Sequence, residues 1–253
     1  MFVYILKWTF QYGKIKLYIL FPRGGSMIKA AIFDLDHTLF DRYETIRLVV
    51  PKFRLKFHIA EGITDDFIYE NLVWADKHYV HHGWEEIYAH LCSKGIFEVE
   101  PGFEGYTEYV LSCFKGVAVK YPFSIPMLRD LRKKGIRTGL ITNGRHDVQV
   151  EKLAILELND CFDEIIISGD YGYAKPDPKI FELMAEKLCI NTNEMIYAGD
   201  HPLNDVDGSR NAGCVPVWVK TTGTWIFPEL EKCELQVETV EEIPAIIDKL
   251  NGR

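Results

Sequence analysis

From Met27 onward, apolar and polar positions along the chain follow two patterns in turn. The short apolar runs, typical of buried strands, are IKAAIFD, IRTGLIT, DEIIIS, EMIYAGD and VPVWV. Between them lie segments such as RHDVQVEKLAILEL and DPKIFELMAEKLC, whose apolar residues recur at helical spacing. Strands that alternate with helices predict an α/β fold with a parallel sheet covered on both faces.

The stretch at 43–121 breaks this alternation. It has helical spacing, for example in DDFIYENLVWADKHYVHH and WEEIYAHLCSK, and no convincing strand. Long insertions of this kind often form lids over a site. We therefore predict a core formed by residues 27–42 and 122–253, with a helical cap domain at 43–121.

Residues 1–26 do not fit the pattern of the rest. They are apolar and aromatic, but Lys7, Lys14 and Lys16 interrupt the apolar run. The segment therefore lacks both a membrane span and the features of a secretory signal. We interpret it as a non-native or upstream-start extension; the alternative is a genuine extra hairpin or a membrane-surface segment.

Composition narrows the classes of function. The 253 residues, 47% of them apolar, suit one substantial domain or a core with a smaller inserted domain. A net charge of -8 without a Lys/Arg block argues against nucleic acid as the main partner. The six cysteines are scattered and form no C-x-x-C pair, which indicates buried thiols in a reducing compartment. We expect a cytoplasmic protein with no membrane partner.

Acidic, hydroxyl and lysine side chains stand at the ends of four predicted strands. Ligands of open α/β sheets bind outside these carboxyl ends. Each residue alone has an ordinary explanation as a helix cap, a turn or a solvated charge. Their coincidence at four strand ends predicts one site. The residues are Asp34, Asp36, Thr142, Asn143, Lys175, Asp200 and Asp205.

Clustered carboxylates of this kind suit a reaction at phosphorus. A carboxylate approaches the negative oxygens of a phosphate monoester only if a cation neutralises the repulsion. Mg²⁺ is a hard ion that accepts two carboxylates together with waters and substrate phosphate. The pattern therefore suits a magnesium-dependent reaction of a phosphate monoester.

With these residues in this order, the chain resembles the haloacid dehalogenase superfamily of hydrolases, which are aspartate-nucleophile phosphatases with a Rossmannoid three-layer α/β/α core. The inserted helical segment lies where the family has its C1-type cap. One departure is His37, where the family often has Gly or Asn, and we expect altered backbone geometry at most. The four motifs are matched by Asp34, Asp36 and Thr38 (D-x-D-x-T), by Thr142, by Lys175-Pro176, and by Gly199, Asp200 and Asp205 (G-D-x-x-x-x-D).

The resemblance implies that Asp34 is the nucleophile and forms an aspartyl-phosphate. It implies that Asp36 gives its backbone carbonyl to the metal and acts as general acid and then general base. To donate a proton, Asp36 must remain protonated near neutral pH, and we expect crowding by like charges to favour this.

The remaining roles follow from the same resemblance. Asp200 would be the second carboxylate ligand of the metal, and Asp205 would hold a metal-bound water or orient Lys175. Thr142 and the backbone amide of Asn143 would hold phosphate oxygens, and Lys175 would balance the acids or touch the phosphoryl group. The implied metal set is Asp34, Asp36, Asp200 and Asp205.

Other activities remain open from the sequence. A sugar phosphomutase or another phosphotransferase of this family shares all four motifs. A dehalogenase would not need Asp36, and a phosphonate hydrolase needs a Schiff-base lysine in the cap, where nothing marks out Lys52, Lys56 or Lys77. A non-catalytic binding protein would not need the motif residues, so the presence of Asp34, Asp36, Lys175 and Asp200 argues against it. The substrate and the oligomeric state are not specified.

The cap carries two further charge patterns. His78, His81 and His82 have a helical spacing that suits zinc, but such clusters are more often solvated, so we leave them out of the site. Arg42, Arg47 and Arg54 suggest a second anionic group on the substrate, although solvated helix charges are the simpler explanation for each. Most cap aromatics are expected to pack between helices.

Overall fold

The computed structural model describes residues 26–79, 83–222 and 225–252, together with the backbone of two strands near the N-terminus. These are β1 (Ile5–Gln11) and β2 (Lys14–Leu20), which pair antiparallel. Whether this segment is a non-native or upstream-start extension, a genuine extra hairpin or a membrane-surface segment stays a prediction.

A parallel sheet forms the centre of the core. Among the described residues it has six strands in the order β10–β9–β8–β3–β6–β7, and each neighbouring pair is parallel. The five predicted strands are confirmed; the sixth, β10, is too short to show a pattern. The further strands are β3 (Ala30–Phe33), β4 (Phe40–Asp41), β5 (Val119–Lys120), β6 (Arg137–Thr142), β7 (Glu164–Ile167), β8 (Met195–Gly199), β9 (Val215–Val219) and β10 (Gln236–Val237).

Helices cover both faces of this sheet. On one face, α5, α6 and α9 pack against β3 through an apolar cluster that includes Leu128, Leu153 and Ile247. On the other face, α7 contributes Phe181 and Met184 to a second cluster. The predicted three-layer α/β/α fold is confirmed. The helices are α1 (Arg42–Lys56), α2 (Asp65–Tyr79), α3 (Trp84–Ser93), α4 (Phe103–Gly116), α5 (Ser124–Lys133), α6 (His146–Ile155), α7 (Pro178–Lys187), α8 (Gly208–Asn211) and α9 (Ile243–Leu250).

The inserted helices α1–α4 have an apolar cluster of their own. Phe53, Leu91 and Tyr106 are fully buried in it, and partly buried aromatic side chains surround them. Most of the cap aromatics therefore pack between helices, as expected, whereas Trp74 is 43% exposed. Whether 43–121 is a separate domain stays a prediction.

Both ends of this segment pass through one short ribbon. β4 and β5 pair antiparallel, with Phe40 opposite Lys120 and Asp41 opposite Val119. Thr45 strengthens the ribbon, because its hydroxyl donates to the Asp41 carbonyl (2.8 Å) and accepts from the Val119 amide (3.1 Å). The sequence interpretation found no strand here, since two residues cannot show an alternating pattern. Within the described residues, no helix has the length and apolar character required to cross a membrane.

Candidate active site

Three buried carboxylates meet at the carboxyl ends of β3 and β8. Asp34 follows β3, Asp200 follows β8, and Asp205 lies in the short helix Pro202–Asp207. One oxygen of each lies within 4.8 Å of the others. The structure therefore brings together three of the four acids in the implied metal set.

Gly199 allows Asp205 to reach this cluster. A Cβ at Gly199 would lie 2.4 Å from the Asp205 carboxylate, which is closer than any side chain tolerates. The carboxylate oxygen nearest Gly199, Asp205 Oδ2, also accepts a hydrogen bond from the His201 amide at 2.9 Å. The G-D-x-x-x-x-D spacing thus folds the second aspartate back over the glycine.

Lys175 supplies a positive charge to the cluster. Its Nζ lies 2.5 Å from Asp34 Oδ1, 2.6 Å from Asp205 Oδ1 and 2.9 Å from the Tyr197 hydroxyl. Burial alone would lower the pKa of Lys175, but the charges of Asp205 and Asp34 raise it above its usual range. The lysine is therefore a fixed cation in this site.

One lysine does not neutralise three acids. Burial raises the pKa of Asp34 to about 7, with Asp205 and Asp36 adding to the rise and Lys175 opposing it. Burial, with the charges of Asp205 and Asp34, also raises the pKa of Asp200 well above its usual value. Such raised values indicate a site with excess negative charge, where a bound cation would be favourable.

Asp36 lies in a different electrostatic environment from the one expected. Lys152 Nζ contacts both of its oxygens (2.9 and 3.1 Å), and Arg42 Nη1 lies 2.9 Å from Oδ1. Burial would raise the pKa of Asp36, but Lys152 and Arg42 together hold it below its usual range. The expectation that like charges crowd Asp36 is wrong for this structure, because two cations surround it.

Arg42 links Asp36 to the inserted helices. Its Nη2 donates to Asp76 Oδ1 in α2 at 2.8 Å, and its Nε lies within 3.2 Å of both Asp76 oxygens. His37 Nε2 lies 3.2 Å from Asp76 Oδ2. The interpretation of Arg42 as a solvated helix charge is wrong, since its side chain is only 11% exposed.

The other cap charges lie outside this network. Arg47 stacks on Tyr69, with 3.9 Å between the guanidinium carbon and the ring centroid, and Arg54 pairs with Asp65 at the surface. His78 stacks on Trp74; His81 and His82 lie outside the described residues.

His37 adopts the left-handed φ of 58°, a conformation that Gly and Asn also favour.

Asn143 and Thr142 stand at the end of β6, beside the Lys175 loop. The Asn143 side chain donates to the Lys175 carbonyl (2.9 Å) and accepts from the Lys175 amide (3.0 Å). These two hydrogen bonds fix the loop that carries the lysine, a role that the sequence interpretation did not foresee. The Thr142 hydroxyl accepts from Gln149 Nε2 at 2.5 Å.

Sequence reasoning missed Gln149 and Lys152, although a signal was available. Both lie on α6 and are buried, at 2% and 5% exposure. Lys152 follows Val148 by four residues, so it falls on the helix side that was predicted to be apolar. A lysine inside an apolar stripe points to a buried acidic partner, here Asp36.

A cavity of about 680 Å³ lies over these residues. Its floor contains the acid cluster, Thr142 and Lys175, and the inserted helices contribute Lys77, Trp84 and Leu111. The site is thus enclosed between the strand ends and the helical segment, with room for a ligand larger than a phosphate ion.

Comparisons with known proteins identify the family of the chain. Residues 28–213 match the family described as haloacid dehalogenase-like hydrolase. A glyceraldehyde 3-phosphate phosphatase of Pyrococcus furiosus is 31% identical over 227 residues, covering 88% of this chain and 93% of that protein. An N-acylneuraminate-9-phosphatase of Mus musculus is 26% identical over 241 residues, which cover 90% of this chain and 97% of that protein.

Solved structures give the same result for the fold. The crystal structure of a HAD phosphatase from Thermococcus onnurineus has a TM-score of 0.58 at 27% identity and covers 87% of this chain and 98% of its own. A HAD-hydrolase from Bacillus subtilis, YfnB, crystallised with magnesium, has a TM-score of 0.67 at 18% identity. The match covers 88% of this chain and 100% of that chain. The second likeness concerns the fold alone.

Proposed function

The chain belongs to the haloacid dehalogenase superfamily and is a phosphoric monoester hydrolase; on that premise we propose that it hydrolyses a small phosphorylated metabolite with magnesium and an aspartyl-phosphate intermediate. The observation that carries this proposal is the buried cluster of Asp34, Asp200 and Asp205 around Lys175. Three acids and one lysine leave negative charge that a divalent cation would balance.

The donor set fits Mg²⁺. Asp34, Asp200 and Asp205 offer hard oxygen ligands at one point, and burial together with the neighbouring acids raises the pKa values of Asp34 and Asp200. The Asp36 carbonyl completes the implied protein set. When bound, the ion would neutralise phosphoryl oxygens and so lower the repulsion between substrate and nucleophile.

Asp34 is the proposed nucleophile. Its carboxylate oxygen forms a bond to phosphorus as the bond from phosphorus to the alcohol oxygen breaks, and water later cleaves the resulting acyl phosphate. Lys175, at 2.5 Å from Asp34 Oδ1, favours the ionised form of this carboxylate against the effect of burial and holds it in place. Thr142 and the Asn143 amide would donate to the phosphoryl oxygens.

Asp36 would protonate the departing alcohol oxygen and then accept a proton from the attacking water. As held by Lys152 and Arg42, it is an ionised carboxylate suited to the second of these roles. Its first role requires that substrate binding loosens one of these ion pairs, so that Asp36 can take up a proton.

The helical segment 43–121 would act as a cap that selects the alcohol part of the substrate. The cavity of about 680 Å³ accommodates an alcohol larger than a triose. Lys77, exposed in α2 and bordering the cavity, would favour an alcohol that carries an anionic group. The names of the relatives, which include a triose phosphate phosphatase and a sialic acid phosphatase, are compatible with this range.

Phosphate release from a panel of sugar phosphates, phosphorylated hydroxy acids and nucleotides tests the proposal. We expect release that stops with EDTA and returns with added Mg²⁺, whereas Asp34→Asn stays inactive throughout. Full activity in EDTA would contradict the role of magnesium. Rearranged product without free phosphate would instead indicate a phosphomutase.

A further inference from the structure

The side chain of Gln149 lies beneath the phosphate-binding residues of the proposed site. It projects from α6 and is 2% exposed. Its Nε2 lies 2.5 Å from Thr142 Oγ1, 3.1 Å from the Asn143 carbonyl and 3.4 Å from Asp36 Oδ2. One amide group thus faces three oxygen atoms.

These neighbours fix which end of the amide faces them. The Asn143 carbonyl only accepts hydrogen bonds. If the Gln149 oxygen occupied the position of Nε2, two acceptors would face each other at 3.1 Å without a proton between them. The NH₂ group therefore points to this side, and Gln149 donates to Thr142 Oγ1.

This direction determines what the Thr142 hydroxyl can do. A hydroxyl has one proton to donate and lone pairs that accept. Gln149 occupies a lone pair, so the proton must point elsewhere. Within the described part of the chain, no protein acceptor takes that proton, and Thr142 borders the cavity.

We propose that Gln149 is a positioning residue that turns the Thr142 hydroxyl proton toward the phosphoryl oxygen of the substrate. This inference rests on the proposed function, in which Thr142 holds the phosphoryl group. The Gln149 side chain borders the cavity, but its amide donates to protein oxygens, so it acts on the substrate through Thr142. It prevents the hydroxyl from using its proton on another protein group, so that no reorientation is needed when charge builds up on the phosphoryl group.

A double-mutant cycle tests whether Gln149 acts through Thr142. Gln149→Met, Thr142→Val and the double variant are compared in kcat/KM for para-nitrophenyl phosphate with Mg²⁺; this leaving group needs little protonation, so effects through Asp36 are small. We expect a loss of roughly tenfold for Gln149→Met, the size of one hydrogen bond to a charged group. In the Thr142→Val background the same change should alter kcat/KM by less than about twofold.

The possible outcomes separate this inference from the proposed function. If the losses of the two single variants multiply in the double variant, Gln149 acts independently of Thr142 and the inference is wrong, while the role of Thr142 stands. If Thr142→Val has wild-type kcat/KM, Thr142 does not hold the phosphoryl group, and the inference falls together with that role of Thr142, whereas loss of phosphate release in the wild type would refute the proposed function itself.

Gln149→Glu distinguishes hydrogen-bond direction from shape. Glutamate keeps the shape of glutamine but accepts hydrogen bonds, so it would take the Thr142 proton away from the substrate. We expect it to be more impaired than Gln149→Met, and equal or higher activity would overturn the inference. Thermal unfolding establishes that each variant folds; if Gln149→Met does not, Gln149→Glu replaces it in the cycle. Glu151→Gln, exposed on the same helix, is the control and should retain wild-type activity.

Discussion

Replacement of Lys175 by methionine should destabilise the protein through the acids that it leaves behind. Methionine keeps the length and apolar volume of the side chain but removes the charge that lies 2.5 Å from Asp34 and 2.6 Å from Asp205. Both partners are buried, and the lysine side chain itself is only 3% exposed. Removal of one partner of a buried ion pair costs about 3–5 kcal/mol. For a chain of this size, that corresponds to a fall in Tm of about 6–20 °C.

The pH dependence of this effect follows from the pKa shifts. In the wild type the pKa of Lys175 is raised, so its contribution is complete below the pKa of an unfolded lysine and is lost only as pH rises through the higher folded value. Near pH 8 the contribution is fully present. In the wild type, burial raises the pKa of Asp34 to about 7 and Lys175 opposes this rise. Without the lysine charge, Asp34 should keep its proton to a still higher pH. Protonation removes the repulsion, so the Tm difference from wild type should be wide near pH 8 and narrow near pH 5.

The measurement is thermal unfolding followed by circular dichroism, with EDTA present so that no metal balances the acids. Lys187→Met is the control, because Lys187 and Glu164 form a surface pair at 3.5 Å with about a third of each side chain exposed. It should change Tm by less than about 3 °C. Lys175 does not balance the buried acids if the Tm of Lys175→Met lies within about 3 °C of the wild-type value, or if its loss of Tm is equal at both pH values.

Four further outcomes are expected. Asp34→Asn should lower phosphatase turnover by several powers of ten with an unchanged circular dichroism spectrum, and near-wild-type turnover would rule out Asp34 as nucleophile. Asp36→Asn should give a burst of para-nitrophenol followed by slow turnover, whereas equal losses on good and poor leaving groups would contradict its acid and base roles. Mg²⁺ should raise Tm more near pH 8 than near pH 5.5, because protons compete for Asp34, whose pKa is raised to about 7; an equal rise at both values would speak against binding at this carboxylate. Lys77→Met should lower kcat/KM for substrates with an anionic alcohol part and leave para-nitrophenyl phosphate unchanged, and an unaltered substrate ranking would place specificity outside this side chain.

The fold was predictable because its strands are buried on both faces. All four residues of β3 are buried, and the apolar run in the sequence reflects this directly. The acids that end these strands meet because parallel strands place their carboxyl ends at one edge. The position of Asp34 and Asp200 at one edge of the sheet could therefore be predicted from the strand pattern.

The environment of Asp36 was not predictable in the same way. Lys152 stands 116 residues from Asp36 along the chain, and Arg42 contacts both Asp36 and Asp76, which lies in another helix. Such pairings depend on how helices pack, which periodicity does not encode. The expectation of a protonated Asp36 considered the neighbouring acids alone, and the two cations reversed the sign of its pKa shift.

The ribbon formed by β4 and β5 holds the two ends of the helical segment together. Phe40–Asp41 and Val119–Lys120 lie side by side, so the chain enters and leaves this segment at almost the same point. The entropy of closing an inserted segment grows only slowly with its length, and here the two ends are already held together by pairing. We therefore expect a shorter, longer or unrelated insertion between these strands to leave Asp34 and Asp200 in position, whereas Arg42 would lose its partner Asp76.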